Sequence, residues 1–142
     1  MDASICVKWF LPEPDAADAA LLRDRALRDE LALVAPDFVL VEVGNVFWLA
    51  CQRGGLKPTE ADAFLTRLAQ GAVGLLSSRR LVHQALGLAT RTGRSVYDCL
   101  YLAAAEELDS PLVTADARFA RGVSGTPYAS RVSLLSTFVK RR

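Results

Sequence analysis

The chain has 142 residues, of which 51% are hydrophobic and 23% are charged, and its formal net charge is +1. This length suits a single domain over residues 1–142, and the apolar fraction with so small a net charge excludes intrinsic disorder. The longest apolar run, 38–51, is interrupted by Glu42 and Asn45 and is too short to cross a bilayer, so we expect no membrane association.

Predicted helices alternate with short apolar strands along the chain. Pro36 and Asp37 begin one helix, which ends before Gly54, and Ser95 can cap another with Asp98 three residues later. We predict helices over 14–30, 36–53, 58–70, 79–92, 95–108 and 116–121. We predict strands over 31–35, 73–76, 111–114 and 131–135.

This alternation predicts an α/β fold with a central, mostly parallel sheet of four or five strands. The strand at 31–35 has no polar face, as expected of a parallel strand covered on both sides. Ligands of such sheets bind beyond the carboxyl ends of the strands, so acidic residues at those ends are the candidates for function.

Glu42 is the most unusual acidic residue, because it lies in an apolar helix with Asn45 three residues further on the same face. A buried carboxylate needs a cation, hydrogen bonds or a route to water; alternatively, Glu42 points to solvent. Asp98 lies in the first turn of a helix, where it either serves a site or completes a capping box with Ser95.

Asp116 and Asp2 also have two interpretations each. Asp116 follows a predicted strand and can cap the next helix, and Asp2 can cap a turn at Ala3 and Ser4 or belong to a frayed terminus. Three or four carboxylates without histidine or thiol neighbours are the ligands that Mg²⁺ or Mn²⁺ requires. Their mutual repulsion raises at least one pKa, and the expected reaction class is phosphodiester hydrolysis by metal-bound water.

Four segments, in this order along the chain, resemble the motifs of the PIN-domain ribonucleases, and in particular the VapC-type toxins of bacterial toxin–antitoxin pairs. The resemblance covers nearly the whole chain. The segments are 2–13, 36–46, 97–103 and 114–119.

The resemblance implies a three-layer α/β/α sandwich and a Mg²⁺- or Mn²⁺-dependent endoribonuclease that cleaves structured RNA such as tRNA, rRNA or mRNA. It also implies a homodimer restrained by a VapB-like antitoxin in the cytoplasm of a bacterium. One or two metal ions would be held by Asp2, Asp98 and Asp116 as the closer ligands, with Glu42 ligating or orienting the water. The supporting polar neighbours would be Ser4, Asn45 and Thr114.

One departure concerns the start of the chain. An apolar strand normally precedes the first acidic residue of such proteins, whereas Met1 alone precedes Asp2 here. We therefore expect this strand either to be truncated, by a late start or by trimming, or to be made from Ile5 onwards.

Basic residues are concentrated in the second part of the chain. Residues 1–62 carry six Lys or Arg and eleven Asp or Glu, whereas residues 63–142 carry eleven and five. This asymmetry either helps to bind a polyanion or reflects only solvated helix faces. The candidate contacts to the RNA backbone are Arg94, Arg79, Arg80 and Arg118, with a basic tail at 140–142.

The remaining polar and aromatic features point to structure. Trp9 and Phe10 either stack on a base or pack in the core, which we favour, and His83 is a structural or surface residue. The widely spaced Cys6, Cys51 and Cys99 indicate reduced thiols in a cytosol, and no secretory signal or zinc motif is visible.

Three other functions compete with this interpretation. A PIN-like RNA-binding module with little or no turnover is the alternative that remains open. A nucleotide- or flavin-binding protein is disfavoured because the sequence has no glycine-rich phosphate loop, and an aspartyl phosphatase is disfavoured because Asp2 lacks a second Asp two residues later.

Overall fold

The computed structural model describes residues 1–140 and contains eight α-helices, one 3₁₀ turn and four short strands. The helices are α1 Ala3–Val7, α2 Ala16–Leu27, α3 Phe38–Gln52, α4 Pro58–Ala69, α5 Ser78–Thr92, α6 Val96–Glu107, α7 Ala117–Val123 and α8 Leu135–Phe138. The strands are β1 Leu33–Pro36, β2 Val73–Leu76, β3 Leu112–Thr114 and β4 Val132–Leu134. The 3₁₀ turn is Ala129–Arg131.

The helix ends follow from local chemistry. Gly93 ends α5 with a φ of 67°, a left-handed conformation that glycine adopts without strain. The Ser95 hydroxyl begins α6 by accepting a hydrogen bond from the Asp98 N–H at 3.1 Å. These two residues turn the chain between α5 and α6, and so fix where Asp98 lies.

The strands form two separate parallel pairs. β1 pairs with β2, with Leu33 opposite Val73, and β3 pairs with β4, with Leu112 opposite Val132. The α/β class and the parallel pairing are therefore as predicted, but the expectation of one sheet of four or five strands is not met among residues 1–140. The two pairs remain separate because, within the described residues, no strand joins β1 to β3.

The start of the chain differs from one expectation. Residues after Asp2 form helix α1, and the Asp2 carboxylate caps it by accepting from the Ser4 N–H at 3.1 Å. A strand made from Ile5 onwards is thus wrong, because the cap commits residues 3–7 to helix. The Met1 amino group instead donates to the Val34 carbonyl at 2.9 Å, beside β1.

The core surrounds α6, in which every residue from Cys99 to Ala105 is buried. The same core extends to the start of the chain, α3 and α4, where the ring of Phe10 lies 5.8 Å from Phe47 and 5.1 Å from Phe64. The Trp9 indole donates to the Ala19 carbonyl at 2.8 Å. Trp9 and Phe10 are therefore structural, as favoured from the sequence.

No helix in the described part of the chain is long and apolar enough to cross a membrane. The three cysteines are free thiols, and His83 is exposed on α5.

Candidate active site

The four acidic residues singled out in the sequence line one cavity of about 70 Å³. That volume holds several water molecules, since one water needs roughly 10–15 Å³ of such space. Distant parts of the chain therefore meet at one point. The lining residues are Asp2, Ala3, Ser4, Glu42, Asp98, Tyr101, Leu112, Asp116 and Phe119.

Asp2 is held in place by Ser4. The Ser4 N–H and hydroxyl both donate to Oδ1 of Asp2, at 3.1 and 2.5 Å. The same hydroxyl accepts from the Ala115 N–H at 2.9 Å, which ties α1 to the end of β3. Burial raises the pKa of Asp2, although the hydroxyls of Ser4 and Thr114 oppose the shift.

Glu42 turns from the middle of α3 toward the cavity, so the alternative that it points to solvent is wrong. The buried Tyr101 hydroxyl donates to its Oε2 at 2.5 Å. Burial raises the pKa of Glu42, and the charges of Asp2 and Asp98 raise it further, while the Tyr101 hydrogen bond lowers it. The same carboxylate and burial raise the pKa of Tyr101, which keeps its proton and remains a donor.

Asp98 lies in the first turn of α6 with its backbone N–H bound to Ser95 and its side chain lining the cavity. An Oδ of Asp98 lies 3.9 Å from the Arg94 guanidinium, one helical turn earlier. The capping contact and the position in the cavity are therefore compatible with each other.

Asp116 caps α7, since its Oδ1 accepts from the N–H groups of Arg118 at 2.8 Å and Phe119 at 3.2 Å. The fully buried Thr114 fixes its backbone by accepting from the Asp116 N–H at 2.9 Å. The Arg118 guanidinium lies 3.9 Å from Oδ1. Asp116 therefore caps α7, as one sequence interpretation predicted, and it also lines the cavity.

The donor set suits a hard divalent cation, because every charged group on the cavity wall is a carboxylate. In residues 1–140, however, no three such side chains already lie close enough together to form a metal site. The residue types therefore fit Mg²⁺ or Mn²⁺, whereas their side chains have to draw together to ligate it.

Comparison with known proteins is consistent with this geometry. The family model described as PIN domain matches residues 1–123, a span that includes all four carboxylates. The chain belongs to the PIN-domain family. Ribonuclease VapC3 of Pyrobaculum aerophilum is similar to this PIN domain, with 31% identity over 122 residues that cover 84% of this chain and 90% of that protein.

Some predicted residues of this PIN domain do not reach the cavity. Asn45 is exposed on α3 and does not line it. The Arg80 guanidinium pairs with Glu107 at 2.6 Å. Glu107 lies at the end of α6 opposite to Asp98, so the two residues are about 13 Å apart along the helix at 1.5 Å per residue. Arg79 is exposed beside it, and Arg141 and Arg142 of the basic tail lie outside the described residues.

Sequence reasoning missed Tyr101. The signal was present, because Tyr101 lies three residues after Asp98 and therefore shares its helix face. A buried tyrosine hydroxyl usually finds a hydrogen-bond partner, and an unexplained carboxylate in an apolar helix was available to accept one. The buried hydroxyl of Tyr101 and the carboxylate of Glu42 are therefore each other's hydrogen-bond partners.

Proposed function

We propose that this chain is a Mg²⁺- or Mn²⁺-dependent endoribonuclease and the toxin of a VapBC-type toxin–antitoxin pair, with residues 1–142 acting as a single domain. The observation that carries the proposal is the meeting of Asp2, Glu42, Asp98 and Asp116 in one cavity of a PIN-domain chain. The name of its relative, a ribonuclease, supports RNA as the substrate.

The metal would be held by Asp2, Asp98 and Asp116, with Glu42 as a further ligand or as the group that orients the water. When bound, the ion supplies Lewis-acid activation of water and of the phosphate, and it neutralises the negative charge that carboxylates and phosphate bring together. Ser4 and Thr114 hold Asp2 and the Asp116 backbone, so these side chains start from fixed positions.

Glu42 is the group best suited to accept a proton from the attacking water. Burial raises its pKa, which makes this carboxylate a stronger base than an exposed glutamate. Tyr101 positions one carboxylate oxygen by a hydrogen bond and leaves the other free to face the cavity.

Arg94 and Arg118 are the best-placed contacts to RNA phosphates, because their guanidinium groups lie 3.9 Å from the carboxylates of Asp98 and Asp116. Arg118 is highly exposed and free to turn toward a phosphate. The ion pair of Arg80 with Glu107 places Arg80 away from this cavity, so we give it and Arg79 only a peripheral role in RNA binding.

Protein partners are supported by exposed apolar side chains on α3. Val41 and Trp48 are 65% and 55% exposed, and they lie two turns apart on one face of the helix. Such a face favours contact with a second protein, for which a second copy or a VapB-like antitoxin are the proposed partners. We propose a cytoplasmic location, which the proposed RNA target and the free cysteines support.

The test is RNA cleavage by the purified protein with Mn²⁺ or Mg²⁺. Asp98→Asn should reduce cleavage by more than the roughly 10–100-fold typical of residues that only support a metal ligand. Asp109→Asn is the matched control, since Asp109 is 93% exposed beyond the other end of α6. Loss of activity in both variants, or in neither, would contradict the assignment.

A PIN-like RNA-binding module is the second candidate. It is favoured by one observation, that no three of the carboxylates in residues 1–140 already form a metal site. Wild-type protein that binds RNA but does not cleave it at any Mn²⁺ concentration would support this candidate, and metal-dependent cleavage would exclude it.

A further inference from the structure

Gly122 lies in the last turn of α7, where its conformation does not require a glycine. Its φ is not in the left-handed region that side chains avoid, unlike that of Gly93. A glycine within a helix lowers the stability of that helix relative to alanine. The helix itself therefore gives no reason for this residue, which leaves the close approach of another group as the explanation.

The group that approaches Gly122 is the side chain of Arg94. A Cβ atom at Gly122 would lie 2.9 Å from Nη1 of Arg94 and 3.1 Å from its Cδ and Cζ. These separations are shorter than an optimal contact between carbon atoms, which is about 3.5–4.0 Å. The guanidinium therefore packs against α7 in a space that a glycine leaves open and an alanine would fill.

The rest of Arg94 is held as well. Its backbone N–H donates to the Thr92 hydroxyl at 3.3 Å, and the side chain is 33% exposed. The side chain of Arg118, which lies beside Asp116, is by contrast 86% exposed. A side chain that is already held loses less conformational freedom when it binds a ligand, so Arg94 is the better prepared of the two arginines.

The Arg94 guanidinium has donors that are not used within the protein. Its Nε is buried and has no hydrogen-bond partner among residues 1–140. Its Nη2 lies 3.9 Å from Oδ2 of Asp98, which is too long for a hydrogen bond. A buried donor without a partner costs free energy, and a ligand that accepts from it recovers that cost. Phosphate oxygens are such acceptors, because they match the paired donors of a guanidinium.

The guanidinium lies at the rim of the carboxylate cavity, because Asp98 lines this cavity and Arg94 does not. The negative charge of Asp98 attracts Arg94 to the rim but leaves the donors of the guanidinium available. We propose that Gly122 is a positioning residue, which holds Arg94 at this rim so that the guanidinium binds an RNA phosphate. This inference rests on the proposed RNA substrate, and it does not depend on cleavage.

The experiment compares the wild type with Gly122→Ala, Arg94→Ala and the protein that carries both substitutions. Gly87→Ala is the matched control, because Gly87 also lies in a helix beside an arginine, but its Cβ would stay 3.9 Å from Nη2 of Arg91. Three quantities are measured: the urea midpoint, the hydrogen exchange of the Arg94 Nε–H by NMR, and the Kd for labelled single-stranded RNA at several salt concentrations. RNA binding is measured with a chelator and with Ca²⁺, so that the RNA stays intact.

We expect Gly122→Ala to have a urea midpoint at least as high as that of the wild type, because alanine favours a helix. The Arg94 Nε–H should exchange at least about tenfold faster in this variant, because its side chain no longer packs against α7. RNA affinity should fall about tenfold, the effect of losing one hydrogen bond to a charged group. The slope of log affinity against log salt should become shallower by about 0.7, the value for one phosphate contact on a single strand.

In the Arg94→Ala protein, Gly122→Ala should weaken RNA binding no further, because no guanidinium is left to position. Gly87→Ala should match the wild type in RNA affinity and in its salt dependence. Equal RNA affinity of Gly122→Ala and the wild type, or a further loss in the double variant, would overturn the inference and leave the proposed function standing. Wild-type protein that binds no RNA in either condition would overturn both.

Discussion

Acidic side chains that share a small cavity oppose one another when no cation is bound. Asp2 and Glu42 both have raised pKa values, with burial as the main cause in each case. The fold tolerates this cost because hydroxyl groups stabilise both carboxylates, Ser4 for Asp2 and Tyr101 for Glu42. Without a cation, the buried carboxylates therefore lower the stability of the protein around the cavity, as expected of a site that binds a cation.

Glu42→Gln should stabilise the metal-free protein at neutral pH. The folded-state pKa of Glu42 is raised above its ordinary value of 4.5, so the folded protein loses stability as the pH rises through that pKa. A glutamine removes this loss and can still accept the Tyr101 hydrogen bond. Urea unfolding with a chelator present should show a larger free energy of unfolding for the variant at pH 7, and no difference below about pH 4.

The control for this prediction is Asp62→Asn, an exposed acidic residue on α4. It should change stability little at either pH. A Glu42→Gln protein that is no more stable than the wild type at pH 7 would contradict the burial of this charge.

Tyr101→Phe should lower kcat more than it changes KM. The substitution removes the hydroxyl that donates to Oε2 of Glu42 at 2.5 Å, so this carboxylate is no longer held in place. The aromatic ring stays in the core. We expect kcat to fall by roughly 10–100-fold, the range for residues that orient a metal ligand. Steady-state kinetics checks this, with Tyr128→Phe as the matched control because Tyr128 binds Arg91 on the surface.

At the scale of elements, helix starts bring the aspartates to the cavity. Asp2 begins α1, Asp116 begins α7, and Asp98 lies in the first turn of α6. Helix amino ends carry a partial positive charge that favours carboxylates, so these short elements offset part of the repulsion. The same side chains therefore begin helices and line the cavity, which is why each aspartate looked ordinary when considered alone.

Two substitutions of Asp116 separate these roles. Asp116→Asn keeps a side chain that caps α7 equally well, so stability should remain within about 0.5 kcal/mol while cleavage is lost. Asp116→Ala removes the cap as well and should cost roughly 1 kcal/mol in addition to the activity. Urea unfolding and RNA cleavage are measured for both variants. If Asp116→Asn cleaves RNA normally, Asp116 is a cap only.

The elements themselves were largely readable from the sequence. β2 was predicted at 73–76 and is Val73–Leu76, and Gly93 and Ser95 mark the ends of α5 and α6 as expected. Such boundaries depend on neighbours in sequence, which periodicity and capping residues report. The short α8 and the 3₁₀ turn were missed, because each has only three or four residues, too few for a periodic pattern.

At the scale of the molecule, the sequence predicted that the four carboxylates meet, but it did not predict where several of the supporting residues lie. The four carboxylates reach one cavity, but Asn45, which was chosen for its position in the motif that contains Glu42, is exposed on α3. Arg80 was selected by charge, although its position depends on packing of α5 along α6, which brings it to Glu107. Contacts between distant segments depend on packing that local patterns do not contain.

We propose that these four carboxylates form one metal-binding centre. Crystals grown with Mn²⁺ and measured at the manganese absorption edge test it directly. We expect an anomalous peak inside the cavity, with carboxylate oxygens of Asp98 and Asp116 roughly 2.2 Å away, near the distances of other hard divalent cations. No peak there, or a peak elsewhere on the protein, at a Mn²⁺ concentration that supports RNA cleavage would contradict it.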